Sequence, residues 1–244
     1  MVSQLKINYI DRLIEESLSE GDDTIELKGK FIGDEGVEAL IQSSKLVNIE
    51  DLDLSNNSIT WRGAVQLFQC KKFKKLKRLY LNDNNITNKG AIALAGASFL
   101  SGLSVLDIHF NNIDTTGGLA IVKCANFQKL QVLNLQENQV GDDALMTLAK
   151  NPSFGNIRKL NFYRTGITIK GIKVLAKSKV LKKVKHLNLG RNYLHPDSAK
   201  VLAETKTLVN VETLLMIENY LGDEGVKNIM ESESFVKLKT FRVL

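Results

Sequence analysis

The side chains best suited to catalysis are few in this chain and poorly spaced for it. It has three histidines, His109, His186 and His195, and two cysteines, Cys70 and Cys124. No CxxC or HExxH run gathers them into a metal site, which needs several nitrogen or sulfur ligands converging on one point. No GxSxG elbow presents a nucleophile, and no glycine-rich loop is built to cradle a phosphate. His195 falls where a helix should begin, which suits a structural or surface role. The expectation is a chain with no catalytic residues, no metal and no cofactor, whose chemistry is recognition. The residues suited to recognition are tyrosine and arginine, the types most enriched in binding hot spots. Where they lie depends on the elements that carry them.

Those elements repeat. Ile49, Leu76, Leu103, Leu130, Ile157, Val184, Val211 and Leu238 follow one another at intervals of 27 residues. A fixed period of this length marks a solenoid or an array. With Leu76 as position one, positions four and six are Leu79 and Leu81, or Leu160 and Phe162, or Leu214 and Met216. Apolar residues two apart with polar neighbours make a short strand buried on one face. Positions 16, 19 and 20 (Ala64, Leu67 and Phe68 in one unit) have the i, i+3, i+4 spacing of a helix stripe. Thr60, Thr87, Asp114 and Thr168 stand at position 12, where an N-cap oxygen would meet free backbone N–H groups. Pro196 stands one residue later, where a helix tolerates it. Position nine is Asn57, Asn84, Asn111, Asn138, Asn192 and Asn219, with Lys30 and Thr165 replacing it in two units. A carboxamide both donates and accepts, so a column of asparagines can link the backbones of successive turns.

The unit Leu76-x-x-Leu79-x-Leu81-x-x-Asn84-x-Ile86 resembles the leucine-rich repeat. The tail that carries Gly90 and Leu94 is similar to the ribonuclease-inhibitor-like class. The resemblance implies an α/β fold, a right-handed horseshoe solenoid with parallel strands on the concave face and helices on the convex one. It divides the chain into an N-terminal helical cap over 1–21, eight repeats over 22–237, and the start of a ninth over 238–244. The cap reading rests on the stripe Ile7, Ile10, Leu13, Ile14 and Leu18, since solenoid ends must be covered. The last strand has no polar cap after it, and an open edge of that kind invites self-association. The same resemblance implies a non-enzymatic protein-interaction scaffold, with the GTPase-activating proteins of Ran as the alternative. Those carry an acidic C-terminal tail that has no counterpart here.

On the outward strand positions and their rim fall Tyr80, His109, Phe110, Tyr163, Arg164, His186, Arg191, Tyr193, Leu215, Ile217 and Tyr220, including four of the five tyrosines. These are the expected partner-binding residues, with Tyr163, Arg164, Arg191 and Tyr193 as their centre. Charge along the face runs from acidic (Glu26, Asp51, Asp53, Asp83, Asp107, Glu137) to basic (Lys159, Arg164, Arg191, Arg242).

The net charge of +6 comes with two lysine-rich runs, Lys71 to Arg78 and Lys177 to Lys185. They raise nucleic-acid binding as a further alternative, but no aromatic residues are interleaved for bases to stack on. Nucleic acid is therefore not the expected partner. Cys70 and Cys124 share one repeat position two units apart, roughly 9.6 Å or more at strand spacing. A disulfide needs Cα atoms within about 7 Å, so both are expected as free, buried thiols. No run approaches the roughly 20 apolar residues of a membrane span, and the N-terminus lacks a secretory signal's pattern. The expected compartment is the cytoplasm, unless the chain leaves the cell by a route that needs no such signal.

Overall fold

The computed structural model describes residues 2–18 and 23–243. Three-residue strands recur at the expected interval: β1 (Thr24–Glu26), β2 (Asp51–Asp53), β3 (Arg78–Tyr80), β4 (Val105–Asp107), β5 (Val132–Asn134), β6 (Lys159–Asn161), β7 (His186–Asn188), β8 (Thr213–Leu215) and β9 (Thr240–Arg242). They form one open parallel sheet in sequence order. Its register advances by one repeat per strand, so Ile25 faces Leu52, Leu52 faces Leu79, and so on to Phe241. After the N-terminal helix α1 (Gln4–Leu18), one helix follows each of the first eight strands. These are α2 (Gly33–Gln42), α3 (Trp61–Gln69), α4 (Thr87–Gly96), α5 (Thr115–Lys123), α6 (Gly141–Leu148), α7 (Ile169–Leu175), α8 (Pro196–Ala203) and α9 (Gly222–Met230). A parallel pair requires a crossover, and here each crossover is a turn, a helix and a short return.

The core lies between the sheet and the helices. Every aliphatic at positions four and six from Ile25 to Met216 is buried, as are the closing residues from Leu46 to Phe235. Phe127 and Phe154, in successive repeats, meet edge to face at 6.3 Å between ring centres. At the N-terminal end α1 buries Ile10, Leu13 and Ile14 against the first repeat. Ser17 also serves the free edge of β1, where the Glu26 N–H donates to its Oγ and its own hydroxyl donates to the Glu26 carbonyl. A polar helix residue thus satisfies a strand edge that would otherwise pair with another chain. The last residues expected in the cap (19–21), Asp22 and Leu244 lie outside the described residues.

The asparagine column is present. Asn111 donates through Nδ2 to the carbonyls of Leu81, Ile108 and His109, while its Oδ1 accepts from the Ile86 N–H. Its own N–H donates to Asn138 Oδ1, so each member connects two neighbours. Thr165 interrupts the column. Its hydroxyl donates to the Phe162 carbonyl, and it offers nothing equivalent to the oxygen with which Asn192 receives the Thr165 and Ile167 N–H groups.

Helix entry corrects one expectation. Thr60, Asp114 and Thr168 are N-caps, accepting from the N–H two residues on. Thr87 is not. It is the first residue of α4, with φ at +57°, and the cap position falls to Ile86 without a side-chain bond. Gly33, Thr87, Gly141 and Gly222 enter their helices through a left-handed residue, and after the first three the next residue (Asp34, Asn88, Asp142) caps the helix of the following repeat. Asp142 Oδ1, for example, accepts the N–H groups of Thr168 and Gly171, and its Oδ2 accepts the Thr168 hydroxyl. Helix termini are therefore satisfied in trans along the solenoid.

Both cysteines are free, but they are half-buried rather than buried. They sit at the C-terminal caps of α3 and α5, at the boundary of core and solvent, where burial pushes the Cys124 thiol up.

Candidate functional site

The outer face of the sheet is built from positions three, five and seven. The turn that leaves each strand adds position eight, whose geometry is constant. Gly29, Asn56, Asp83, Phe110, Glu137, Arg164, Arg191 and Glu218 all have φ between +50° and +68°. That left-handed region costs an ordinary L residue roughly 1–2 kcal/mol and is easiest for glycine, asparagine and aspartate. The first three units use those types. The next five place phenylalanine, glutamate and arginine there, and Phe110 holds its ring 54% exposed.

The structure divides the expected binding residues into three groups. In the first, Tyr80, His109 and Phe110 stand among carboxylates. His109 Nδ1 lies 2.7 Å from Asp107 Oδ1, and its Nε2 lies 3.6 Å from Asp83 Oδ2. Asn134 Nδ2 also donates to Asp107 Oδ2. The bond to Asp107 is the largest influence on the imidazole and raises its pKa above the ordinary value; partial burial opposes it, and the Asp107, Asp83 and Glu137 charges reinforce it. Burial first, with nearby carboxylates, pushes the Tyr80 hydroxyl up.

A testable consequence follows for pH. Histidine in an unfolded chain titrates near about 6.5. A raised folded value means that the stabilising contribution is fully present below about 6.5 and is lost as the pH rises through the folded value. NMR titration should place His109 above the free-histidine value, and Asp107→Asn should bring it down. A His109 that titrates at or below the free value would contradict the assigned pairing.

The second group is the central one. Tyr163, Ile217 and Leu215 are half-buried on the outer face of the last repeats. Gly190 lies between Tyr163 and Ile217 in the same row. A Cβ there would meet Tyr163 Cδ2 and Ile217 Cγ1, both at 2.9 Å, so the two side chains close over the glycine into a continuous apolar patch. Arg191 borders it: Nε donates to Glu218 Oε2 at 2.6 Å, and Tyr163 is a further partner. Glu218 first, and Tyr163 after it, hold the guanidinium above its ordinary pKa. Beside the patch lies a recess of about 380 Å3 lined by Lys159, Asn161, His186, Asn188, Thr213 and Leu215. His186 is exposed there, its Nδ1 3.1 Å from Thr213 Oγ1.

The third group is off the sheet. Tyr193 and Tyr220 occupy the rim leading to the helices, 62% and 61% exposed, and His195 stacks on Tyr220 with ring centres 5.3 Å apart. His195 stands at the N-cap of α8 and makes no side-chain capping bond.

The expected centre is thus only partly assembled. Tyr163 and Arg191 meet, but Arg164 pairs backward with Glu137 at 2.8 Å, and Tyr193 stands on the rim. Charge polarity along the face is reduced by the same pairing, since Arg78 with Asp51, Arg164 with Glu137 and Arg191 with Glu218 each join successive repeats. Gly190 is absent from the residues expected from the sequence, and Glu218 is expected there only as an acidic exception on the basic half of the face. Their signal was legible: Glu218 is one period after Arg191, and Gly190 is a glycine in a row of large side chains.

Among the described residues no group of histidine, cysteine and carboxylate side chains converges as a metal site, and no helix is long and apolar enough to cross a membrane.

Comparison with known proteins agrees with this geometry. The family model described as Leucine Rich repeat matches residues 74–95, 103–122 and 128–149. No curated protein matches the sequence. The crystal structure of a protein from Bacteroides fragilis is similar over 97% of this chain and 82% of that one, with 15% identity and a TM-score of 0.53, a likeness of fold alone. The three matched units share one unbroken register with the rest of the nine-stranded sheet, so the chain carries leucine-rich repeats within an α/β solenoid of one continuous register.

Proposed function

We propose that this chain is a non-enzymatic scaffold that holds a partner protein on the concave strand face, centred on Tyr163, Gly190, Arg191 and Ile217. The observation that carries the reading is the composition of the left-handed turn row. Phe110, Arg164 and Arg191 occupy backbone positions that favour glycine; the two arginines gain an ion pair to a neighbouring repeat there, whereas the largely exposed Phe110 side chain gains nothing from the local geometry. Strain kept at several neighbouring positions points to the displayed side chains as its purpose. The patch over Gly190 adds what such an interface needs at its centre, an aromatic and an aliphatic side chain beside an arginine. Arg191 has its guanidinium oriented by Glu218, so less freedom is lost when a partner carboxylate reaches it. The 27-residue unit, with its similarity to the ribonuclease-inhibitor-like class, is in keeping with this use of the strand face.

Substitution in the turn row tests the argument. Phe110→Asn relieves left-handed strain and removes an exposed ring, so it should leave stability unchanged or raise it by up to about 1 kcal/mol. The same variant should weaken capture of the partner. A loss of more than about 1 kcal/mol in a denaturant titration would mean that the ring is structural and that the row is not a display.

A further inference from the structure

The two lysine-rich runs look alike in the sequence, and the structure separates them. Most of the first is engaged internally. Lys72 Nζ donates to the carbonyls of Ile41, Gln42 and Ser43 at the end of α2, Lys75 to Asn48, Lys77 pairs with Glu50, and Arg78 with Asp51. In the second run Lys183 and Lys185 are likewise held, by Asn156 and Glu212, but Lys177 and Lys179 are not. Neighbouring repeats bring Lys150, Lys173 and Lys206 beside them. None of these five pairs with a carboxylate among the described residues.

These lysines border a groove. Two recesses of about 530 and 450 Å3 share Lys173 and Lys177 in their linings, so they lie side by side along the carboxyl ends of α6, α7 and α8. Val174, Val180 and Val201 line it, all half-buried, and Glu204 is its one carboxylate. A cation near a helix C-terminus is favoured by the helix dipole, which accounts for about one lysine per helix. It does not account for the number of unneutralised lysines, or for the valines that line the recesses with them.

We propose that this groove docks an acidic amphipathic segment of a partner protein, aliphatic side chains on the valines and carboxylates on the lysine rim. The observations select this occupant by chemistry. A recess with an apolar floor suits side chains that can enter it, whereas a flat anionic bilayer meets only the rim. Nucleic acid would find no aromatic ring for its bases and no use for the valines. Three helices at 8–10 Å between neighbouring axes give a length of roughly 18 Å, which a helix of about twelve residues covers. The groove lies on the helical side of the solenoid and does not depend on the strand-face site.

The test is fluorescence anisotropy with the whole chain and a labelled peptide of about twelve residues, leucine on one helical face and glutamate elsewhere. Saturable binding is expected. Lys173→Glu with Lys177→Glu should weaken it at least ~10-fold, and Lys150→Glu with Lys179→Glu should do the same if the first pair disturbs folding. Lys71→Glu with Lys74→Glu changes the net charge equally, away from the groove, and should alter affinity less than ~2-fold. A peptide with serine for leucine should bind at least ~10-fold more weakly. A loss in the Lys71→Glu, Lys74→Glu variant equal to that in the groove variants, an unaffected serine peptide, or no binding would overturn the proposal. So would tighter binding of an oligothymidylate of equal charge or of phosphatidylserine vesicles.

Discussion

Leu135→Asp should destroy the cooperative fold of the middle repeats. Leu135 is fully buried at position six of its unit, between Ile108 and Phe162 in the same row, and both of those are also buried. An ionised carboxylate placed there has no cation within the core and must either lose its hydration or take up a proton. Either outcome adds to the lost leucine packing, itself about 2–5 kcal/mol for truncation to alanine. The total should exceed about 4 kcal/mol. Because each repeat touches only its neighbours, the damage should spread from the centre of the array and appear as a broadened or two-step melting curve. A single sharp transition within about 1 kcal/mol of wild type would mean that the strand's inward face has been misassigned.

Asn111→Ala should be the next most damaging substitution. The side chain makes three donor bonds and one acceptor bond to buried backbone, and it spans from the preceding repeat to its own turn. An alanine leaves those groups without partners in a site that water does not enter, at about 1–3 kcal/mol for each group left truly unsatisfied. After relaxation the expected loss is about 3 kcal/mol. Thr165 provides the internal control. It occupies the same position with one side-chain bond, so Thr165→Ala should cost only about 1 kcal/mol. Denaturant titrations of the two variants should differ accordingly, and equal losses would show that the asparagine column contributes no more than a hydroxyl.

The parts of the molecule legible in the sequence are those that depend on period alone. The buried leucines, the strand register and the asparagine column all repeat with the backbone, so one unit read correctly gives the others. Features that depend on where a side chain points were harder. Thr87 has the right residue type for an N-cap, but the chain enters α4 through a left-handed residue. The actual cross-repeat caps, Asp34, Asn88 and Asp142, recur only in alternate units, so a single-unit template averages them away. Arg164 and Arg191 share a repeat position and differ in partner because glutamate precedes one and follows the other. The lysine runs are similar in composition, yet only the structure shows which amines the backbone and carboxylates already engage.

The most direct test of the scaffold reading is a comparative affinity capture from cell lysate. Wild type would be set beside a variant carrying Tyr163→Ala, Arg191→Ala and Ile217→Ala. These residues are exposed or half-buried, so the variant should melt close to wild type. A protein retained by wild type and lost with the folded variant would be the predicted result, placing the partner on the patch over Gly190. Capture of the same proteins by both would contradict the account, because the strand face would then take no part in recognition.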